Sequence, residues 1–176
     1  MFATIYLPHF YLQAAMRHQP ELREKPVALL DDRQPKSLIL QLNQAAEQAG
    51  VRAGMTASQG LARSLDLVVK TRMSAQEKQI EEIVLHFAFT LAPYVEGTGP
   101  GLCTIQFTTR KNLAGNLWRV VEVLGELEVN AQAGIAETPD TSLLAAYLAK
   151  PVLEINDTKH FLASLPIEAL AISGRN

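Results

Sequence analysis

The side chains able to do metal or covalent chemistry are few and scattered. Asp31 and Asp32 form the only acidic doublet outside a predicted helix, and Glu96 stands alone before a glycine-rich turn. His9, His18, His86 and His160 never fall three or four residues apart, the spacing that lets one helix or loop present several ligands, so no metal cluster is expected. Phosphate loop, dinucleotide fingerprint, nucleophile elbow and zinc helix are absent, and no cofactor site is read. The single cysteine, Cys103, excludes an internal disulfide. Its place in an alternating apolar run makes it a small buried side chain rather than a nucleophile. A solvated loop tip is the plainer reading of Asp31-Asp32.

The framework around these residues is easier to read. Leu102 to Thr108 alternates and is rich in β-formers, a strand opened by a turn at Gly97, Gly99, Pro100 and Gly101. It is expected at the centre of a sheet that amphipathic helices cover. Ala3 to Leu7 is a short buried strand stopped by Pro8, leading into a helix from Phe10 to His18. Strands at Val27 to Leu30 and Ser37 to Leu42 precede a helix capped by Asn43 and ended by Gly50. A helix from Thr56 to Ser64 and a strand from Leu65 to Lys70 follow.

Ser74 to Leu91 is the clearest helix, because Ile80, Ile83, Val84, Phe87, Ala88 and Leu91 recur at spacings of three and four. Ser74 and Glu77 read as its capping box. Leu113, Leu117, Val120, Val121 and Leu124 mark another amphipathic helix, and Val129 to Ile135 another strand. Thr138-Pro139 starts a helix whose buried face is expected to be Leu143, Leu144, Tyr147 and Leu148. Val152 to Ile155 reads as an edge strand and Asp157 as the cap of a helix ending at Ser164. The fold class is α+β: a ferredoxin-like split β-α-β sheet with helices on one face, and an inserted small, mostly helical lobe.

At 176 residues, 48% hydrophobic and 19% charged, the chain can bury one good core and carry a second lobe. No apolar run reaches the roughly 18 residues of a membrane span, and the N-terminus lacks the basic start of a signal peptide, so a soluble cytoplasmic protein is expected. Sixteen basic against eighteen acidic residues give a net charge of −2. Residues 11–74 carry +3 and the remainder −5, too weak an asymmetry for a free-standing nucleic-acid binder.

Several blocks, in order, resemble the N-terminal half of Y-family translesion DNA polymerases. Gly50-Val51-Arg52-Ala53-Gly54-Met55 is similar to a Gly-Val-x-x-Gly-Met segment of the family's fingers, and Pro93-Tyr94-Val95-Glu96 to the approach to its catalytic hairpin. Gly134-Ile135-Ala136 through Ala149-Lys150-Pro151, and Phe161-Leu162 with Leu165-Pro166-Ile167, resemble the run that ends in Lys-Pro and the start of the thumb. The resemblance implies a palm over residues 1–10 and 75–164, fingers over 11–74 and the beginning of a thumb over 165–176. It also implies a longer protein continuing into a little finger, with a natural truncation as the alternative.

Polymerases of this family hold two magnesium ions with carboxylates that bridge the attacking oxygen and the triphosphate. The resemblance places Tyr6, Pro8, Gly101 and Leu102 at those carboxylate positions, and none supplies an ionised oxygen at neutral pH. It places Gln44, Glu47 and Leu143 where the family binds the triphosphate. Tyr11, after Phe10, falls at the aromatic steric gate, where a core role is the plainer reading. No catalytic, metal or cofactor residue is therefore expected, and within the family the pattern resembles ImuB-type proteins, bacterial and non-catalytic. That likeness implies a recruitment role in DNA repair and induced mutagenesis, with an error-prone C-family polymerase, a RecA-like protein and the sliding clamp as partners, the clamp through a region beyond this one. Weak or no DNA binding by residues 1–176 is expected. Two other readings stand beside it: a nucleotidyltransferase with ligands relocated to Asp31, Asp32 or Glu96, and a small-molecule-binding regulatory module of ferredoxin-like fold.

Overall fold

The computed structural model describes residues 1–31, 37–109 and 111–166. In chain order its elements are β1 (Phe2–Tyr6), α1 (Phe10–Met16), a 3-10 turn (Pro20–Leu22), β2 (Val27–Leu30), β3 (Ile39–Leu42), α2 (Gln44–Gln48), α3 (Ala57–Arg63), β4 (Val68–Thr71) and α4 (Ser74–Leu91). There follow β5 (Tyr94–Gly99), β6 (Leu102–Gln106), α5 (Leu113–Glu126), β7 (Gln132–Ala136), α6 (Pro139–Leu148), β8 (Val152–Glu154) and α7 (Thr158–Ser164). The chain divides into two compact units, Met1–Pro8 with Glu81–Asn176, and His9–Ile80, so that one boundary falls inside α4.

The first unit is a five-stranded sheet in the order β5-β6-β1-β7-β8. β1 is antiparallel to both β6 and β7, β5 is antiparallel to β6, and β8 runs parallel to β7. β1 and β5 are therefore parallel with β6 slotted between them, which is the split β-α-β arrangement. β1 takes the central place, and β6, the strand expected at the centre, pairs directly with it and lies inside the sheet, one place from the edge. Pairing with two neighbours, together with cover on both faces, explains why β1 carries no exposed residue.

Strand alternation gives the sheet two different faces. Ala3, Ile5, Cys103, Ile105, Ala133 and Ile135 share one face and are buried. α5 turns Leu113, Leu117, Val120, Val121 and Leu124 inward, each worth about 1.5–3 kcal/mol when buried. α4 lies on the same side, since Val84 and Leu85 line a cleft with Cys103. On the other face Thr4 hydrogen bonds Ser142 of α6 at 2.7 Å. α6 and β8 are thus an added unit behind the pair of helices that the split β-α-β pattern requires.

The inward side of α6 differs from expectation. Thr141, Ser142, Ala145 and Ala146 are buried, whereas Leu143, Leu144 and Tyr147 are half-buried and Leu148 is exposed. The reason is proximity: a Cβ on Gly134 of β7 would stand 2.2 Å from the Ser142 carbonyl oxygen and the Ala146 nitrogen. A helix that close accepts only small side chains between its axis and the strand.

The second unit is built on a three-stranded sheet, β3-β2-β4, with β2 antiparallel to β3 and parallel to β4. Its core joins Ala28, Ile39, Leu42, Ala46, Val51 and Leu67. Asn43 caps α2 as expected, its Oδ1 accepting from Ala46 N at 3.0 Å and also from Val27 N at 2.9 Å, so that one side chain ties helix to strand. Thr56 and Gln59 form a capping box at α3. The box expected at α4 does not form. Met73 O accepts from Glu77 N, and the Glu77 carboxylate pairs instead with Arg72.

Candidate functional site

The ends of β1 and of the β5–β6 hairpin meet in register, with Tyr6 opposite Leu102. Gly101 occupies the turn at φ +68°, a conformation that favours glycine, and its carbonyl accepts from Leu7 N at 2.9 Å. The Tyr6 ring packs edge-on to Tyr147 of α6 at a centroid distance of 4.6 Å. Burial, and then the neighbouring Tyr147 phenol, push the Tyr6 hydroxyl above its ordinary value of 10.0, so it is neutral at physiological pH. A row of hydroxyls crosses the sheet beside it. Thr98 meets Thr104 at 3.2 Å, Thr104 meets Thr4 at 3.5 Å, and Thr4 meets Ser142. Ser142 donates to Pro139 O at 2.7 Å, which leaves Thr4 as the donor in its pair with Ser142.

These residues do not fit a pair of magnesium ions, which take hard oxygen ligands, carboxylates above all, at about 2.1 Å. Tyr6 offers a neutral phenol held against Tyr147, Pro8 and Gly101 offer backbone carbonyls, and Leu102 offers no donor. The conclusion does not depend on an exact alignment of the hairpin. No acidic residue occurs before Glu21, nor between Glu96 and Glu122. Among the described residues no three His, Cys, Asp or Glu side chains group as metal ligands. Glu96 lies on β5 opposite Thr104, Asp31 directly follows β2 in the other unit with its amide on Leu38 O, and Asp32 lies outside the described residues.

In the second unit Gln44 and Glu47 are both exposed, one turn apart on α2. Arg52, the nearest cation in sequence, spends its Nη1 on the carbonyls of Glu47 and Val51, both at 2.7 Å. Leu143 sits half-buried on α6 in the first unit. Tyr11 is buried, with the Arg72 guanidinium 3.7 Å above its ring. Arg72 is fixed there by two bonds to Glu77, of 2.9 and 2.6 Å, which hold its pKa above the ordinary value. Tyr11 is therefore part of a packed cation–aromatic–carboxylate cluster. Sequence reasoning missed Arg72 and Glu77, since their partner lies some sixty residues away and the spacing of Glu77 from Ser74 imitated a cap.

The block Gly50 to Met55 keeps a backbone role. Gly50 and Gly54 have φ of +86° and +83°, and the turn between them buries Val51. Gly54 N donates to Ile39 O and Ile39 N to Met55 O, both at 2.8 Å, which docks the turn on β3.

Comparison with known proteins places this arrangement. The sequence pattern of the impB/mucB/samB family matches residues 5–147. DNA polymerase IV of Pseudomonas syringae pv. tomato is 27% identical over 172 residues, covering 92% of this chain and 48% of that protein. DNA polymerase IV of Legionella pneumophila strain Corby is 26% identical over 179 residues, with the same two shares. The chain thus spans about half the length of the curated relatives it matches. The post-insertion binary complex of Dbh DNA polymerase superposes with a TM-score of 0.83 at 17% identity, covering 96% of this chain and 52% of that one. DinB from Sulfolobus solfataricus gives 0.81 at 16%, with the same coverage. Those two likenesses speak for the fold, a Y-family palm and fingers, while the sequence match to more than half of the chain speaks for descent: the chain belongs to the impB/mucB/samB family of Y-family DNA polymerase relatives.

Proposed function

We propose that this chain is the palm and fingers part, residues 1–10 with 75–164 and 11–74, of a non-catalytic polymerase-like protein that recruits others during DNA damage tolerance and translesion synthesis. One observation carries the reading: both strand ends that would hold catalytic carboxylates carry none, and Tyr6 and Gly101 are instead engaged with Tyr147 and Leu7. The fold's framework is intact around that gap. The resemblance to ImuB-type proteins supports the partners, an error-prone C-family polymerase, a RecA-like protein and a sliding clamp, and a bacterial cytoplasmic setting. A net charge of −2 supports weak DNA binding by residues 1–176, because few cations displace counterions from phosphates.

The test is primer extension by the 176-residue chain on a primed template with magnesium or manganese, run beside a gel shift at physiological salt. No nucleotide incorporation and no stable shift are expected. Incorporation lost on changing Asp31, Asp32 or Glu96 to the amide would overturn the reading in favour of relocated ligands.

A further inference from the structure

β5 is the longest strand and stands at the edge of its sheet. Which of its backbone groups are free follows from the ladder. Leu7 N bonds Gly101 O and Phe107 N bonds Met1 O, so the bonded pairs of β1 with β6 include Ile5 with Cys103 and Ala3 with Ile105. The backbone groups of Thr104 and Gln106 then face β5, where their partners are Glu96 and Tyr94. Val95 and Gly97 accordingly turn their N–H and C=O groups away from the sheet. Edge strands are usually blunted by charged side chains, proline or a bulge, and the charge here is the single Glu96. Tyr94 to Gly99 has no lysine and no proline, and its one irregularity lies between Gly97 and Gly99, past the free groups of Val95.

A second observation lies on the face that Val95 and Gly97 share with Ile105 and Cys103. A cleft of about 310 Å³ opens there, walled by Leu102 and Cys103 of the hairpin and by Glu81, Val84 and Leu85 of α4. A Cβ on Gly97 would meet nothing within 4 Å, so the cleft reaches to the strand itself. A row of free backbone groups flanked by an apolar cleft is what strand addition uses: main-chain bonds supply affinity and the cleft selects alternate side chains.

We infer that the β5 edge accepts an extended segment of a partner protein as a sixth strand, apolar on the side facing the cleft and basic on the other. The basic preference comes from Glu96, which projects with Tyr94 and Thr98 on the face opposite the cleft. The inference rests on the recruitment reading and names the kind of partner segment involved.

The probe is an eight-residue peptide alternating lysine with leucine or valine, titrated against the 176-residue chain by fluorescence anisotropy. Two isomers of the same charge, N-methylated on the lysine amides or on the apolar amides, test whether backbone bonds form. One isomer is expected to lose about tenfold or more in affinity and the other to stay within about threefold, since only alternate amides of an added strand face its neighbour. Gly97→Pro should weaken the unmodified peptide about tenfold while leaving the β5–β6 ladder intact, because its amide points outward. Equal binding of both isomers would mean charge attraction alone and would overturn the inference, as would no binding at millimolar peptide. Sedimentation showing a dimer that Gly97→Pro dissolves would overturn it in favour of a second copy of this chain. The primer-extension assay is read on the same preparation, so its failure and the failure of peptide binding are distinguishable.

Discussion

The tip formed by β1 with the β5–β6 hairpin, and the Gly50–Met55 turn, are both places where the family pattern can be laid on this chain, and they have fared differently. At the tip neither β1 nor β6 carries an acidic residue, Tyr6 packs on Tyr147, and the Gly101 carbonyl accepts from Leu7 N. At the turn every patterned residue is present, and each has a backbone reason to be: two glycines at positive φ, a buried Val51 and a docking bond to β3. What survives is what the fold needs. At the tip a side chain can change without moving the chain, so the fold does not fix which side chains stand there.

That contrast is open to attack at positions where the framework is supposed to be intolerant. Gly134→Val should have the largest effect, since its branches would enter the backbone of α6. A loss above about 4 kcal/mol, or failure to fold, is expected in urea unfolding. Near-wild-type stability would mean α6 can lift from the sheet. Arg72→Met leaves the Glu77 carboxylate unpaired at 9% side-chain exposure and uncovers Tyr11, for an expected loss of about 3 kcal/mol. Glu77→Gln combined with it should restore part of that loss, because the orphaned charge is then gone. Gly54→Ala should cost about 1–2 kcal/mol from the left-handed backbone alone, as a Cβ there meets nothing within 4 Å.

The smallest expected effect is at the tip's underside. Burial pushes the Cys103 thiol up from 9.0 to about 12. The folded state therefore holds a proton that the unfolded chain releases, so stability is complete below pH 9 and falls as pH rises toward 12. By pH 10 the loss should reach about 1 kcal/mol, and Cys103→Ala should flatten that slope in chemical denaturation.

Much of the framework was legible because its causes are local. The bounds of α4, the Asn43, Thr138 and Asp157 caps and the strand after the glycine turn follow from periodicity and capping within a few residues, whereas Gly97 and Gly99, read as turn, belong to β5. The errors share a different origin. The inward side of α6 was misread because leucines advertise burial, whereas Gly134, on another strand, had already decided that only alanine, serine and threonine fit. Glu77 was misread because Arg72 outcompetes a backbone amide for its carboxylate. For the candidate site, the absence of carboxylates could be read from the letters. The Tyr6–Tyr147 contact, the Arg72 stack on Tyr11 and the bonds from Thr4 to Thr104 and Ser142 could not, since each joins residues at least sixty positions apart.

The hydroxyl of Thr4 has one more consequence, for how the chain finds its fold. β1 must choose an alignment against two strands at once, and an apolar segment flanked by apolar segments offers several. Sliding it by a single residue would exchange its two faces, thrusting Thr4 among Cys103, Ile105, Ala133 and Ile135 while Ala3 or Ile5 met Thr104 and Ser142. The threonine would then be sealed away without a partner, at a penalty of about 1–3 kcal/mol. One methyl-sized polar group in the middle of β1 thus acts as a proofreading mark, making the correct alignment of three strands cheaper than its nearest misalignments.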